Sequence, residues 1–209
     1  MPQRAPSRYA QRMDEIRVAS LDVGRLDDWR RLFAAGKATG AWWYHCHCAI
    51  WHHTGGMDVW DAQSGEEHRD AMSERVRAGR YHGLLAYASD DVVGWCRAGP
   101  RSELGFTMTK EPAGDDAERL GIVSCFVVHP AWRGRGVARA LVRGLDDHFR
   151  ALGCTMGEAH PLVPGTGEFD GMQGYLAWFV AAGWQDVRAS GEHARVVRKS
   201  LMDRDGANP

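Results

Sequence analysis

The sequence predicts a single α+β domain, built on a mixed, mostly antiparallel sheet that is flanked by about four helices. Its 209 residues are enough for one domain with a well-packed core. Runs with strand and helix periodicity follow one another in the order β-α-α-β-β-β-α-β-α-β, and two of the strand-like runs flank a hairpin turn at 89–91. We expect the domain to span 13–202, with flexible ends at 1–12 and 203–209.

The N-terminal half contains two predicted helices and three predicted strands. Ile16 and Val18 alternate with polar neighbours, as in a strand, whereas Leu26, Trp29 and Phe33 recur at helical spacing. The predicted elements are, in order, a strand over 15–21, a helix over 26–36, a loop or short helix over 41–56, a helix over 65–80, and hairpin strands over 83–88 and 92–98.

The C-terminal half is organised around one strong strand–turn–helix unit. An apolar run over 121–128 leads through a turn into a helix over 134–152, whose apolar residues recur on one face up to the terminating Gly153. The remaining predicted elements are a polar surface excursion over 111–119, a strand over 155–160, a loop over 161–174, a helix over 175–182, and one or two closing strands up to about residue 202.

Composition and charge narrow the class of protein. The formal net charge is −1, which gives no reason to expect a nucleic-acid or anionic-membrane partner, and no apolar run approaches the ~20 residues that span a bilayer. Five cysteines at irregular spacing argue against a disulfide framework. The N-terminal segment has no apolar core region of the kind found in a secretory signal. We therefore expect a soluble cytoplasmic domain.

The turn between the strand 121–128 and the following helix is basic and rich in glycine. A strand that passes through such a turn into a helix start presents several backbone N–H groups in one direction, with the positive end of the helix dipole behind them, and this arrangement suits a phosphate or pyrophosphate. A P-loop is excluded because no G-x-x-x-x-G-K-[ST] occurs. The dinucleotide fingerprint is matched by Gly134 and Gly136 but not by Arg139, although an acidic residue, Glu158, stands about 20 residues on.

The residues Val128-x-Pro130-x-x-Arg133-Gly134-x-Gly136-x-Ala138 resemble the acetyl-CoA-binding signature of the GNAT superfamily of N-acetyltransferases. A weaker match, Phe179-x-x-x-Gly183-Trp184, is similar to the aromatic-x-x-x-Gly-aromatic pattern that ends the last helix of that family. The resemblance covers about 15–200 and is sharp over 121–152. Looser features, Cys46-x-Cys48 among them, look like those of a little-characterised bacterial subgroup.

The resemblance implies how acetyl-CoA would be held. Backbone N–H groups of 133–138 would bind the pyrophosphate, and the small residues there would allow close approach. Edge groups of Phe126 and Val128 would pair with the pantetheine arm as another strand would, where the two central strands splay apart. The Val128 N–H would stabilise the thioester oxyanion. The implied cofactor-binding residues are Phe126, Val128, Arg133, Gly134, Arg135, Gly136, Val137, Ala138 and Phe179.

The implied reaction is attack of an amine on the acetyl thioester, which needs a base for the amine and gains from an acid for the thiolate. Many family members place a tyrosine where Phe179 stands, to act as that acid. Tyr175, one turn earlier, is the substitute candidate, and the alternative is an aromatic residue packed on the sheet. Glu158 is the candidate base, since a carboxylate in a covered sheet needs a reason to be there; the alternative is a structural ion pair. Ser124, expected on the Phe126 face, would hold a relay water or simply fill the core.

The segment 41–60 carries four of the nine tryptophans and four of the ten histidines. The tryptophans are Trp42, Trp43, Trp51 and Trp60, and His47 is one of the histidines. Large aromatic residues usually belong to a core, but this crowding, together with the family resemblance, favours a wall of the acceptor pocket. The candidate substrate-binding residues are Trp42, Trp43, His47, Trp51, Glu103 and His160. A zinc site is a weaker reading, because Cys46-x-Cys48 is too tight for an ordinary knuckle, so no metal is expected.

These observations predict an acetyl-CoA-dependent N-acetyltransferase. The expected acceptor is the primary amine of a small molecule, a metabolite or an antibiotic-like compound, attacked through a tetrahedral intermediate. Two alternatives stay open: a protein N-terminal or lysine acetyltransferase, and a non-catalytic CoA-binding module. The expected oligomeric state is a monomer or a homodimer.

Overall fold

A computed structural model describes residues 16–55, 57–105, 119–163 and 171–202. The described chain forms one seven-stranded sheet in the order β1-β2-β3-β4-β5-β7-β6. Neighbouring strands are antiparallel, except for the central pair β4–β5, which is parallel. The mixed, mostly antiparallel sheet of an α+β domain is thereby confirmed. The ends for which flexibility is predicted lie outside the described residues.

The strands and helices follow the predicted order along the chain. The strands are β1 Ile16–Ser20, β2 Gly83–Ala88, β3 Asp91–Pro100, β4 Leu120–Val128, β5 Met156–Ala159, β6 Gln185–Ser190 and β7 Ala194–Ser200. The α-helices are α1 Leu26–Thr39, α2 Trp43–Cys46, α3 Met57–Asp61, α4 Gly65–Arg77, α5 Val137–Arg143, α6 Leu145–Ala151 and α7 Leu176–Ala181.

The described residues thus contain seven α-helices where the sequence predicts about four. Two of the additional helices, α2 and α3, are short and lie in or next to the segment 41–56. In that segment the apolar residues follow neither the helical nor the strand period. The third arises because the helix predicted over 134–152 is divided at Gly144. A Cβ at Gly144 would lie 3.0 Å from the Val18 side chain, so the glycine allows the helix to cross β1 closely.

Two hydrophobic clusters cover the two faces of the sheet. On the first face, α5, α6 and α7 contribute Leu141, Leu145, Phe149 and Phe179. On the second face, α1 and α2 contribute a dense aromatic group that packs on Trp95 of β3; it includes Trp29, Phe33 and Trp43. The aromatic crowding of the N-terminal half therefore belongs largely to this second core.

A β-bulge interrupts β4 at Ser124. Arg97 pairs with Cys125 and the next residue of β3, Ala98, pairs with Val123, so Ser124 is the extra residue. Val123 and Phe126 consequently pack in the first cluster, whereas Cys125 packs in the second. The alternation of β4 therefore shifts at Ser124, which the period of the sequence cannot reveal, and the expectation that Ser124 shares the Phe126 face stays a prediction.

The two central strands separate after a short contact. β4 and β5 pair from Leu120 with Met156 to Val123 with Ala159, where β5 ends, while β4 continues to Val128. A V-shaped gap therefore opens beside the second half of β4, and the glycine-rich turn follows directly at its upper end. Among the described helices, none is both long and apolar enough to cross a bilayer.

Candidate active site

A cleft of about 810 Å³ opens at this gap. One side is formed by the end of β4 and by the turn and helix start that follow it, from Trp132 to Arg139. The other side is formed by Trp42 and Trp43 at the start of α2, and the floor includes Met172 and Tyr175. The cleft therefore joins the predicted phosphate-binding turn to part of the predicted acceptor wall.

The turn has the backbone shape that its glycines allow. Gly134 and Gly136 have φ values of +74° and +83°, in the left-handed region, and a Cβ on either would have no atom within 4 Å. Within the described part of the chain, no carbonyl accepts a hydrogen bond from the backbone N–H of Gly134, Arg135 or Gly136. This open, donor-rich backbone fits a pyrophosphate.

The arginines around the turn divide into two groups. Arg133 is exposed and lines the cleft, whereas Arg135 lies over the Trp132 ring, at 5.1 Å from its centroid, and is not among the cleft-lining residues. Arg139, in the first turn of α5, lines the cleft as well. Sequence reasoning missed Arg139 because it treated that residue only as a failed third glycine, although one helical turn separates it from Arg135.

The free edge of β4 carries the groups that would face pantetheine. The Phe126 N–H points into the gap, where it donates a hydrogen bond of 2.6 Å to the Met172 carbonyl. Val128, two residues on, presents its N–H and C=O to the same side because strand geometry repeats every second residue. The predicted edge is thus present, but its Phe126 N–H is taken by the chain itself.

The aromatic residues of α7 and its N-terminal flank have different environments. Phe179 is fully buried, with its ring 6.2 Å from that of Phe126 and 5.2 Å from that of Trp184, and it does not line the cleft. Its location is that of a core residue rather than a cofactor contact. Tyr175, the candidate acid, does line the cleft, with its ring edge-on to Trp178 at 4.8 Å.

The six candidate substrate-binding residues are not brought together. Trp42 and Trp43 line the cleft, but Trp51 is buried in the second core. His47 stacks on Phe33 at 4.7 Å in the core behind α2. Burial lowers the pKa of His47 to about 4. The neighbouring Cys46 is also buried, and this burial raises the pKa of its thiol to about 12. Among the described residues no group of three or more His, Cys, Asp or Glu is arranged to hold a metal ion.

Glu103 lies in a buried polar cluster below β3. Its carboxylate contacts Arg97 at 3.3 Å and His82 at 2.8 Å. The Arg97 guanidinium is fully buried and donates to the Nε2 of His52 at 3.0 Å. Burial, reinforced by the charge of Arg97, lowers the pKa of His52 to about 2. These contacts hold the segment after α2 against β3. Because the Glu103 carboxylate is paired with Arg97 and His82, it is not free to bind a substrate.

Glu158, the candidate base, lies in a hydrogen-bonded triad on β5 and β7. One carboxylate oxygen is 2.9 Å from His160 Nε2, and the other accepts from Arg198 Nε at 2.7 Å. The side chain is 1% exposed. Burial alone would raise the pKa of Glu158, but the hydrogen bonds from His160 and Arg198 outweigh burial and hold the pKa below its ordinary value. A carboxylate so paired is a poor proton acceptor.

The fold and the cleft together define a class of site: an open strand edge beside a glycine-rich turn that is suited to a pyrophosphate. A model of the acetyltransferase (GNAT) family matches residues 42–163, which is more than half of the chain. The chain therefore belongs to the GNAT acetyltransferase family. A comparison with curated protein sequences finds no significant match.

Solved structures with this fold come from several bacteria. A putative acetyltransferase from Salmonella typhimurium, solved with its cofactor acetyl-CoA, is 16% identical with a TM-score of 0.51, over 92% of this chain and 96% of that one. An N-acetyltransferase from Staphylococcus aureus Mu50 is 13% identical (TM-score 0.52; 90% and 99%). A ribosomal-protein-alanine N-acetyltransferase from Brucella melitensis is 17% identical (TM-score 0.52; 88% and 99%). At these identities the likeness extends to the fold alone.

Proposed function

We propose that this protein transfers the acetyl group of acetyl-CoA to the primary amine of a small molecule. The observation that carries the proposal is the single cleft that joins the donor-rich turn 133–138 and the β4 edge to the wall formed by Trp42 and Trp43. A donor held along the turn and the β4 edge would present its thioester to the opposite wall. The two substrates would therefore meet inside one cleft of the same chain.

The residues of the turn fit the charge and shape of CoA. Gly134 and Gly136 leave the space in which a Cβ would stand, so phosphate oxygens can approach the backbone. Arg133 and Arg139 add positive charge at the same mouth of the cleft. Bound acetyl-CoA would supply the activated acyl group, and the Val128 N–H on the open edge would donate to the oxyanion that forms on the carbonyl.

The acceptor side of the cleft suits an organic amine. Trp42, which is half-buried, offers flat aromatic surface on which a cationic or apolar group next to the amine can pack, whereas Trp43 is buried in the second core. Tyr175 lines the cleft and carries a hydroxyl group, which supports its role as the acid that protonates the departing thiolate. A protein acceptor is the competing possibility, because a neighbour of the same fold is described as acting on a ribosomal protein.

The test is release of free thiol from acetyl-CoA in the presence of a panel of small primary amines and of peptides with free N-termini or lysines. We expect turnover with at least one small amine, and Trp42→Ala should raise the KM for that amine at least tenfold with an unchanged KM for acetyl-CoA. Trp60→Ala is the matched control, since Trp60 stacks on His68 away from the cleft. Turnover of peptides alone would show the protein acceptor to be correct, and tight CoA binding without turnover would indicate a binding module.

A further inference from the structure

Two buried polar atoms without partners lie where β4 and β5 separate. Ser124 Oγ and His160 Nδ1 have no hydrogen-bond partner among the described residues, although the two residues are only 3% and 4% exposed. Val123 pairs with Ala159, so Ser124 and His160 are the next residues of the two parallel strands. Buried polar atoms are rarely left unsatisfied, so this point of the fold is suited to a water or a substrate group.

The hydrogen bond to Glu158 fixes the proton of the His160 ring. An ionised carboxylate can only accept, so the 2.9 Å contact requires the proton on Nε2. In the neutral ring the unshared electron pair is then on Nδ1, which is the atom without a partner. A carboxylate that orients an imidazole in this way also stabilises the imidazolium that forms when the ring takes up a proton.

Arg198 holds the carboxylate in place. It contacts the oxygen of Glu158 that His160 leaves free, through both Nε at 2.7 Å and a terminal nitrogen at 2.6 Å. With both oxygens engaged, Glu158 is fixed in orientation and stays ionised. This arrangement differs from the one predicted from sequence, in which the carboxylate itself takes the proton.

We propose that His160 Nδ1 is the general base of acetyl transfer, acting through a short chain of water that begins at Ser124 Oγ, and that Glu158 is the positioning residue that orients the ring. The inference rests on the proposed function, since it needs an amine acceptor in the cleft. Neither Ser124 nor His160 lines the cleft itself, but Ser124 lies two residues before the cleft-lining Phe126, about 7 Å along the strand, which is a distance that a chain of two waters can bridge to an amine beside the thioester.

The proton and electron balance of the step is complete without a further reactant. The amine nitrogen attacks the thioester carbon and forms the C–N bond, while a proton of that nitrogen passes through the water to Nδ1. The C–S bond then breaks and the CoA thiolate leaves. Tyr175 gives its hydroxyl proton to the thiolate and is reprotonated through water by the proton that His160 took up, and the products are an amide and free CoA.

The charged groups around the His160 ring are compatible with its role as a general base. On β5 the neighbour is the carboxylate of Glu158, and on β7 the positive charge of Arg198 is paired with that carboxylate. Arg195, whose backbone N–H binds the Pro161 carbonyl next to His160, has its side chain paired with Asp186. On β4 the neighbour is the uncharged Ser124.

The test compares pH profiles of kcat for the amine that the panel identifies. His160→Gln retains an N–H for Glu158 but has no basic nitrogen, so we expect kcat to fall about 100-fold and the acidic limb of the profile to disappear, with the Kd for CoA within twofold. Glu158→Gln removes the carboxylate that orients the ring and stabilises the imidazolium, so kcat should fall while the Kd for CoA stays within twofold. His193→Gln, an exposed histidine that pairs with Glu192, should leave the profile unchanged.

The possible outcomes distinguish failure of the base assignment from failure of the proposed function. If wild-type protein acetylates an amine and His160→Gln keeps both its kcat and its acidic limb, the base assignment is wrong while the function stands. If no amine is acetylated, the proposed function is wrong and the base assignment falls with it. Imidazole ¹⁵N spectra of wild-type protein give a reading that does not depend on variants: His160 should have its proton on Nε2 at neutral pH, and a proton on Nδ1 would overturn the proposal.

Discussion

Gly136→Ala should weaken CoA binding in addition to a modest loss of stability of the fold. The φ of +83° at Gly136 costs a residue with a Cβ about 1–2 kcal/mol, and no neighbouring atom adds a steric clash. The new methyl group would stand in the open space above the turn, where phosphate oxygens approach. Loss of one charge-assisted hydrogen bond is worth about 1.5–3 kcal/mol, so we expect the Kd for CoA to rise roughly 10- to 100-fold.

Gly79→Ala is the matched control for this variant. Gly79 follows α4, is exposed, has a φ of +64°, and also has no atom within 4 Å of a Cβ, but it lies outside the cleft. Both variants should lose similar stability in urea titrations, whereas calorimetric titration with CoA should distinguish them. Equal CoA affinities for Gly136→Ala and Gly79→Ala would refute the assignment of the turn as the pyrophosphate site.

Three further predictions concern the frame around the cleft. Gly94→Ala would place a Cβ 2.5 Å from the Val137 side chain, so stability should fall by about 1–3 kcal/mol in urea titrations; an unchanged midpoint would contradict this packing. Burial lowers the pKa of His148 to about 4, so the unfolded chain binds the extra proton first and stability should decrease as pH falls from about 6.5 towards 4, by up to about 1.4 kcal/mol per pH unit. His148→Gln should flatten this slope, and an identical slope would count against the assignment. The Phe126 amide should exchange slowly with deuterium in protein without CoA because it is bonded to Met172, and fast exchange would argue against that bond.

The strand–turn–helix unit was predictable because each part of it has a local signal. The apolar run of β4, the glycines at 134 and 136, and the apolar stripe of the following helix each follow from the chemistry of a few adjacent residues. The family match to residues 42–163 agrees with this assignment. The break of the helix at Gly144 was not predictable, since it depends on the approach of β1 from a distant part of the sequence.

The candidate catalytic residues show where sequence reasoning ends. Glu158 was singled out correctly as a buried carboxylate, but its partner Arg198 comes from another strand, 40 residues away, and no periodicity relates the two. The alternation of β4 shifts at Ser124 because of one bulge residue, which no period in the sequence reveals. Trp51 and His47 lie in the core because the aromatic cluster of α1 collects them, which a pattern within one segment cannot reveal.

The bond between Phe126 and Met172 has a consequence for the behaviour of the protein before it meets its donor. A sheet that opens into a V exposes unpaired backbone groups, and such groups invite strands from other molecules. Because the Met172 carbonyl occupies the Phe126 N–H, part of this edge is covered by the chain itself. In the proposed binding mode, acetyl-CoA would exchange one hydrogen bond for another, so part of the binding free energy would be lost in return for protection against association through the open edge.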